Sequence, residues 1–344
     1  MTAPEKIESE TQLDELLTRP RRELIEFMPF LNNPLVILGA GGKMGPTLCV
    51  LCRRAAEEAG IDLEVIAVSR FSKRGVQSWL EERGVRTHAC DLLHRESLDA
   101  LPDAGNIIYL VGFKFGTTEN PSMAWAMNTL VPAYVAERYR HSRIAALSSG
   151  NVYPMVPVDS RGATETAILT PVGEYANACI GRERILDYHA RTNSTPVVLI
   201  RLSYAVDLRY GVLLDIAQKV FTGKPVDVTT GHLNCIWQGD ANEFILRSLP
   251  LANSPATVFN LTGPSELSVA GLAMQFGDIM GRTPRIVGTE SDTALLSNPS
   301  RAFAILGKPP TSVDTMVRWV ADWVMQGGST LNLPTHFEVR DGSY

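Results

Sequence analysis

The sequence predicts an α/β protein in which a doubly wound parallel sheet is joined to a smaller α/β lobe. Three observations predict this fold class. Short apolar runs alternate with helix-like segments between residues 34 and 204, as they do in βαβ units. A glycine-rich turn separates the first apolar run from the first helix. After Tyr204 the alternation becomes irregular, which indicates a second and smaller unit.

The elements follow from hydrophobic periodicity and from the residues that begin or end helices. Apolar runs of the buried-strand type predict strands at 35–38, 63–68, 85–90, 106–111, 143–148, 196–202 and 257–261. Helical spacing of apolar residues predicts helices at 47–59, 77–83, 121–139, 173–191, 212–222, 239–248, 268–280 and 313–326.

These elements predict the domain organisation. Apolar residues at roughly helical spacing indicate a helical extension at the N-terminus, which Pro20 interrupts. The predicted units are an extension at 1–33, a dinucleotide-binding domain at 34–204 and about 237–262, a substrate-binding lobe at 205–236 and 263–327, and a loosely ordered tail at 328–344.

Composition and charge narrow the class of partner. The chain has 344 residues and a net charge of −5, which weighs against nucleic acid and anionic membranes. Its first residues are polar and acidic, unlike a secretory signal, and its five cysteines are scattered as in a reduced protein. We therefore expect a cytoplasmic protein with no membrane or nucleic-acid partner. We expect no metal site, because Cys49 and Cys52 have no second ligand pair nearby.

The glycine-rich turn predicts a dinucleotide site of the Rossmann type. Residues 36–46 read VILGAGGKMGP, with a glycine at every third position from Gly39. A strand that turns into a helix through glycines leaves backbone N–H groups free at the positive end of the helix dipole, where they attract a pyrophosphate. The predicted cofactor-binding residues of this turn are Gly39, Gly41, Gly42, Lys43, Met44 and Gly45.

Residues after the second and third strands bear on the choice of cofactor. The second strand ends at Ser69-Arg70, where an NAD site usually has an acid that accepts hydrogen bonds from the ribose. An arginine suits a 2′-phosphate instead, so the sequence favours NADP, with NAD possible. The alternative is that these basic residues form only a solvated loop. Asp91-Leu92, after the third strand, suits either an adenine contact or a plain turn.

Two further segments carry a family resemblance. Residues 148–154 read SSGNVYP after a buried strand, and residues 174–183 read EYANACIGRE at the start of a helix. Together with the glycine turn, these segments resemble the extended short-chain dehydrogenase/reductase family, the NAD-dependent epimerase/dehydratase group. The resemblance extends over most of residues 34–326 and implies a Rossmann domain, hydride transfer with a nicotinamide cofactor, and a small-molecule substrate.

The resemblance also implies roles for individual residues. Ser149 matches the catalytic serine that hydrogen-bonds the reacting oxygen. Tyr175 matches the tyrosine that exchanges a proton with the substrate hydroxyl and lies beside the cofactor. Lys114 and Asn128 match residues near the cofactor. We also assign Val111, at the end of the fourth strand, to the cofactor site.

Position 179 departs from the family. Members of the family have a lysine four residues after the tyrosine, where this chain has Cys179. That lysine holds the nicotinamide ribose and lowers the pKa of the tyrosine, and a neutral thiol cannot replace its charge. Lys114 or Arg182 could supply the missing charge. Two hypotheses follow: an active enzyme, or a catalytically impaired dinucleotide-binding sensor or scaffold.

The substrate lobe departs from the family as well. Leu233-Asn234 stands where many nucleotide-sugar enzymes have an Arg-Asp pair, and Tyr204 replaces an asparagine. Because an arginine that grips a diphosphate is missing, a nucleotide-sugar substrate is less favoured, and a sugar- or polyol-like hydroxyl or carbonyl is expected. The resemblance further implies a homodimer through the helices near 121–140 and 174–191.

Overall fold

The computed structural model describes residues 4–333 and 335–343. Residues 1–3 of the predicted extension and residues 334 and 344 of the predicted tail lie outside the described part. The strands are β1 (Leu35–Leu38), β2 (Val65–Ser69), β3 (Arg86–Ala89), β4 (Asn106–Tyr109), β5 (Arg143–Ser149), β6 (Val156–Pro157), β7 (Val197–Leu202), β8 (Ala205–Val206), β9 (Pro225–Asp227), β10 (His232–Leu233), β11 (Ile236–Trp237), β12 (Thr257–Leu261), β13 (Leu267–Ser268), β14 (Arg285–Val287) and β15 (Thr293–Ala294).

The helices follow the predicted pattern, and the structure adds several short ones. They are α1 (Glu10–Leu17), α2 (Arg22–Phe27), α3 (Gly45–Glu58), α4 (Val76–Glu81), α5 (Arg95–Asp99), α6 (Pro121–Trp125), α7 (Val131–Arg138), α8 (Gly173–Asn193), α9 (Val212–Phe221), α10 (Gln238–Arg247), α11 (Val269–Met280), α12 (Ser300–Leu306) and α13 (Val313–Met325). No helix in the described part of the chain is both long enough and apolar enough to cross a membrane.

The central sheet confirms the predicted fold class. Its seven strands are all parallel and lie in the order β12-β7-β5-β4-β1-β2-β3. β1 is the point at which the strand order reverses, and its first residue, Leu35, pairs with Val65 on one side and Asn106 on the other. In such sheets ligands bind beyond the carboxyl ends of the strands at this point.

Alternation along β1 divides its side chains between two cores. Leu35 and Ile37 pack into one hydrophobic cluster, and Val36 and Leu38 pack into the cluster on the opposite face of the sheet. All four side chains are fully buried. A strand covered by helices on both faces has no solvent-facing positions, which is why the sequence here is continuously apolar.

A third cluster forms the core of the lobe. It is built mainly from α9, α11 and α13, and the rings of Trp237 and Trp319 meet there with centroids 5.2 Å apart. Leu13 and Leu17 of α1 belong to the same cluster. The first part of the predicted N-terminal extension is therefore built into the lobe, whereas Leu24 of α2 packs against the sheet-covering helices.

Two segments differ from the sequence-based expectations. The helix predicted at 121–139 is interrupted by a π-helical turn at Ala126–Leu130, where Val131 N donates to Ala126 O. Pro132 follows this turn, and a proline inside a helix removes one i→i−4 hydrogen bond. The tail, expected to be loosely ordered, packs against the lobe over residues 335–343, with Phe337 only 2% exposed.

Candidate active site

The glycine turn has the close packing that its sequence indicates. Gly39 has a φ of 83°, and a side chain there would lie 3.0 Å from the Leu110 carbonyl carbon. A side chain at Gly45 would lie 2.4 Å from Ala40 O. The first turn of α3 can therefore approach the end of β1 only because these positions lack a Cβ, and its N-terminus faces the carboxyl edge of the sheet.

Two adjoining cavities lie along this edge. The inner cavity has a volume of about 260 Å³, and the outer cavity about 220 Å³. Both are lined by Gly39 and Gly42 of the turn and by the segment 110–112 after β4. The two cavities therefore share a wall at the glycine turn and follow the edge of the sheet from β3 to β7.

Most of the predicted site residues lie on these walls. The inner cavity is lined by Gly39, Gly42, Lys43, Met44, Gly45, Val111, Lys114, Ser149 and Tyr175. The outer cavity is lined by Gly39, Gly41, Gly42, Ser69, Arg70, Asp91, Leu92 and Val111. The two exceptions are Asn128 and Cys179, which are fully buried behind the inner wall.

Tyr175 and Ser149 meet in the inner cavity although they come from different elements. Ser149 ends β5, and Tyr175 lies in the first turn of α8. The Tyr175 hydroxyl shares side-chain hydrogen bonds with Ser149 and with Cys179. Burial raises the pKa of Tyr175 well above its usual range, while the nearby Arg182 guanidinium and the bond to Ser149 act in the opposite direction. The phenol is thus protonated at neutral pH in this structure.

Arg182 is a wall residue that our site prediction omits. Its NH1 group donates to Leu147 O at 2.6 Å, and its NH2 group donates to Asn128 Oδ1. Asn128 is itself held by bonds from its Nδ2 to the Phe113 and Ala124 carbonyls. Asn128 therefore fixes Arg182 from behind the wall. The Nε atom of Arg182 is buried without a hydrogen-bond partner among the described residues.

Two lysines add further positive charge to the inner cavity. Lys43 Nζ donates to Ala205 O and lies 4.2 Å from the Tyr210 ring centroid, so it reaches from the glycine turn to the lobe. Lys114 Nζ lies 5.8 Å from the Tyr175 ring centroid. Burial lowers the pKa of each lysine to about 8. No carboxylate of the described residues lines this cavity, which is therefore suited to an anionic ligand.

A buried polar network holds β5 and α8 together behind Ser149. Ser148 Oγ donates to Glu183 Oε1 at 2.5 Å, and Arg201 of β7 donates to both oxygens of Glu183 at 2.9 and 2.7 Å. Arg201 also donates to the Tyr153 hydroxyl at 2.8 Å. The side chains of Arg201 and Glu183 are both at least 95% buried. This network therefore has little freedom to move.

Comparison with protein families identifies the chain. Residues 35–207, about half of the chain, match the NAD dependent epimerase/dehydratase family. The chain belongs to this family. It is accordingly an enzyme of the nicotinamide-dependent oxidoreductase and epimerase type, as the resemblance of its motifs predicted. A search of curated proteins found no match.

Solved structures share the fold of this family member. The UDP-Glc/GlcNAc 4-epimerase of Campylobacter jejuni superposes with a TM-score of 0.70 at 17% identity, over 86% of this chain and 99% of that one. The UDP-glucuronic acid 4-epimerase of Bacillus cereus, solved with NAD, gives 0.71 at 17% identity over 85% and 99%. The Thermus thermophilus UDP-glucose 4-epimerase, also solved with NAD, gives 0.66 at 17% over 84% and 98%.

The outer cavity of this epimerase/dehydratase family member carries unpaired positive charge. Arg70 lines it, and Lys73 and Arg74 follow in the same exposed loop. Within residues 4–333 and 335–343, none of these three side chains makes an ion pair or a side-chain hydrogen bond. They are therefore available to a ligand that enters between the glycine turn and the end of β2.

Several wall residues are absent from the site predicted by the sequence motifs. Ser203 and Tyr204 follow β7, so their position at a carboxyl strand end was an available signal. Tyr204 also has a φ of 40°, which is unusual for a residue other than glycine. Tyr210 and Thr335 reach the inner cavity from the lobe and the tail, and no local pattern indicated that position.

Proposed function

We propose that this enzyme transfers hydride between a nicotinamide cofactor and a sugar- or polyol-like hydroxyl or carbonyl, as an oxidoreductase or an epimerase/dehydratase. One observation carries this proposal. The hydrogen-bonded hydroxyls of Tyr175 and Ser149 lie on the wall of a cavity that adjoins a second cavity at a glycine-rich helix N-terminus. A proton-transfer pair beside a dinucleotide cradle is the arrangement that such a reaction requires.

The cradle suits the cofactor. The absence of side chains at the turn leaves the N-terminus of α3 open to a pyrophosphate, and Lys43 and Lys114 add positive charge on the same wall. When bound, the nicotinamide ring supplies or accepts the hydride. Ser149 then holds the substrate oxygen. In the reducing direction the neutral Tyr175 phenol donates its proton to the alkoxide, and in the oxidising direction the same residue accepts the hydroxyl proton as a phenolate.

We propose that Lys114 and Arg182 supply the positive charge that stabilises the ionised form of Tyr175 during proton transfer. Cys179 has no charge to offer, and burial raises its pKa further. Arg182 is permanently charged, and the guanidinium favours the ionised form of Tyr175. Lys114 reaches the same phenol ring from the loop after β4. In our proposal these two cations oppose the effect of burial on Tyr175, in place of the lysine that is missing at 179.

NADP is the preferred cofactor in this proposal. Arg70 lines the outer cavity at the end of β2, where an NAD site usually has an acid, and the one carboxylate among the lining residues, Asp91, follows β3 instead. A guanidinium without a partner favours a 2′-phosphate, which a carboxylate at this place would repel. Lys73 and Arg74 lie close behind and add to the positive field.

We also propose a cytoplasmic homodimer that pairs through α6, α7 and α8. Trp125 of α6 is 40% exposed, Leu130 of the π-helical turn is 48% exposed and Tyr188 of α8 is 62% exposed. Apolar side chains at such exposure on adjacent helices are typical of an interface. Light scattering at micromolar concentration should give twice the monomer mass of 37.6 kDa, and a monomer mass would contradict the dimer.

Three measurements test the proposed reaction. Fluorescence titration with NADPH and NADH should show binding of both, with NADPH tighter, and Arg70→Ala should remove most of the difference. A panel of sugars, polyols and their carbonyl forms is then screened by cofactor absorbance. Cofactor binding without turnover on any panel member would favour the sensor or scaffold. If Cys179→Lys fails to improve a measurable wild-type rate, the site works without that lysine.

A further inference from the structure

The tail borders the inner cavity at Thr335. We call residues 335–343 the strap. Thr335, at its start, lines the inner cavity together with Tyr175 and Ser149. The strap contains no helix or strand, so its position depends entirely on side-chain and backbone contacts with the rest of the chain.

The first anchors of the strap lie on the lobe. Thr335 donates from its N and its Oγ1 to Asp215 Oδ2 of α9, at 2.9 and 2.5 Å. Phe337 is buried in the hydrophobic core of the lobe. Lys219 of α9 pairs with Glu338. These contacts hold the strap along one face of α9, beside the inner cavity.

The last anchors lie on the other side of the cavity. Arg340 donates to the Thr293 carbonyl at 2.9 Å and to its hydroxyl at 2.7 Å. Gly342 packs so closely against α8 that a Cβ on Gly173 would lie 2.4 Å from Gly342 O. Gly173 is the first residue of α8, two residues before Tyr175. The strap thus spans from the lobe to the helix that carries the proton-transfer tyrosine.

Aromatic rings complete the closure between these anchors. The Phe115 ring, in the loop after β4, lies 6.3 Å from the Tyr210 ring of the lobe and 6.5 Å from the His336 ring of the strap. Three separate parts of the chain therefore meet beside Tyr210, a residue that lines the inner cavity. The cavity volume of about 260 Å³ lies below the range of about 300–1,000 Å³ that is typical of small-molecule sites.

We propose that the strap closes the inner cavity and restricts its substrate to a small, free molecule that carries no nucleotide. This inference rests on the proposed function and specifies its substrate class. The nicotinamide end of the cofactor and the substrate have to share the inner cavity, so a nucleoside diphosphate attached to the substrate would have to displace the strap. Displacement would expose Phe337 and break the ion pair and hydrogen bonds that fix the strap.

Hydrogen–deuterium exchange of the ligand-free protein tests the closure. The variants are Lys219→Ala and Phe337→Ala, and the matched control is Lys224→Ala, an exposed lysine three residues beyond α9. Amides in segments 112–116 and 173–177 should exchange about fivefold or more faster in the two strap variants than in the control. Circular dichroism verifies that each variant is folded. Unchanged exchange in both folded strap variants would overturn the closure.

Calorimetric titration with UDP-glucose tests the substrate class. The cofactor-loaded wild-type protein should bind UDP-glucose with a Kd no tighter than about 1 mM. A Kd below about 100 μM would overturn the inference, since a nucleotide-linked sugar would then enter with the strap in place. Failure of the proposed function can be told apart from failure of this inference. It would appear as absent cofactor binding or absent turnover, while the exchange experiment would still show whether the strap protects the two segments.

Discussion

Tyr175 is the residue on which the proposed chemistry depends. Its side chain is hydrogen-bonded to Ser149 and Cys179 and lies close to the Arg182 guanidinium. Burial of the phenol favours its neutral form. Burial favours the neutral phenol, so a phenolate formed when the residue gives up its proton readily takes a proton back. While the residue is a phenolate, it needs a nearby positive charge to stabilise it. The residue-scale predictions therefore concern Tyr175 and the lysine closest to it.

Replacing Tyr175 by phenylalanine should abolish most turnover and spare cofactor binding. Loss of a positioned general acid or base typically lowers the rate by about 10²- to 10⁴-fold. Turnover is measured by cofactor absorbance and binding by fluorescence. The matched control is Tyr188→Phe, since Tyr188 is on the same helix but is 62% exposed. Full turnover by Tyr175→Phe would show that another group transfers the proton.

Cofactor affinity should fall as the pH rises through about 8. Lys43 and Lys114 have pKa values lowered to about 8 by burial, so each ammonium is charged below this pH and loses its proton above it. Above pH 8 a neutral lysine must regain its proton before it can bind the phosphates. For each such lysine, the Kd of the cofactor should rise by up to about tenfold per pH unit. Titrations with NADPH at pH 7, 8 and 9 measure this slope. Lys114→Met should flatten it, and an unchanged slope would exclude Lys114.

At the scale of elements, the turn between β1 and α3 determines whether the protein has a binding site for the cofactor pyrophosphate. The helix begins at Gly45 itself, two residues earlier than its apolar pattern predicts. The pattern of side-chain burial starts later because glycine and proline contribute no apolar periodicity. The start of this helix is therefore set by backbone geometry rather than by a hydrophobic face.

Gly45→Ala should destabilise the protein by about 1–3 kcal/mol and weaken cofactor binding, because its Cβ would lie 2.4 Å from Ala40 O. Gly271→Ala in the first turn of α11 is the matched control. Its Cβ meets nothing closer than 3.5 Å, so that substitution should stabilise by about 0.5–1 kcal/mol. Urea unfolding measures both. Equal effects of the two substitutions would contradict the close packing of the turn.

At the scale of the whole molecule, the N-terminal segment joins the two parts of the fold. Arg21 donates to Asp240 Oδ1 at 3.0 Å and to Glu243 Oε2 at 2.7 Å, both on α10. The two carboxylates are 6% and 3% exposed, and Arg21 compensates both, while Arg247 pairs with Glu243 as well. Through these ion pairs with α10, the N-terminal segment contributes to the stability of the folded protein.

Arg21→Ala should lower the free energy of unfolding by about 3 kcal/mol, since it leaves two buried carboxylates with one cation fewer. The neighbouring Arg22→Ala is the control, because Arg22 is 86% exposed and pairs with Glu26 on its own helix. That change should leave the free energy of unfolding nearly unchanged. Chemical denaturation measures both. Similar losses for the two variants would mean that the segment is not held by its buried ion pairs.

Much of the fold could be predicted from local sequence. The seven parallel strands and the long helices were recognisable because burial on both faces and helical amphipathicity leave periodic patterns over a few residues. The π-helical turn at Ala126–Leu130 was not recognisable, because it depends on how Pro132 is accommodated within a helix that its neighbours hold in place. The short helices α5 and α12 were too brief to show a period.

The sequence by itself determined the parallel sheet, the glycine turn and the family, because each is encoded by residues close together in the chain. Only the tertiary structure decided which side chains enclose the site. Lys43 meets Ala205 across 162 positions, and Arg21 meets Glu243 across 222. The strap reaches the inner cavity from the far end of the chain. Contacts of such separation leave no local pattern, since their partners are chosen by the folded arrangement of the elements.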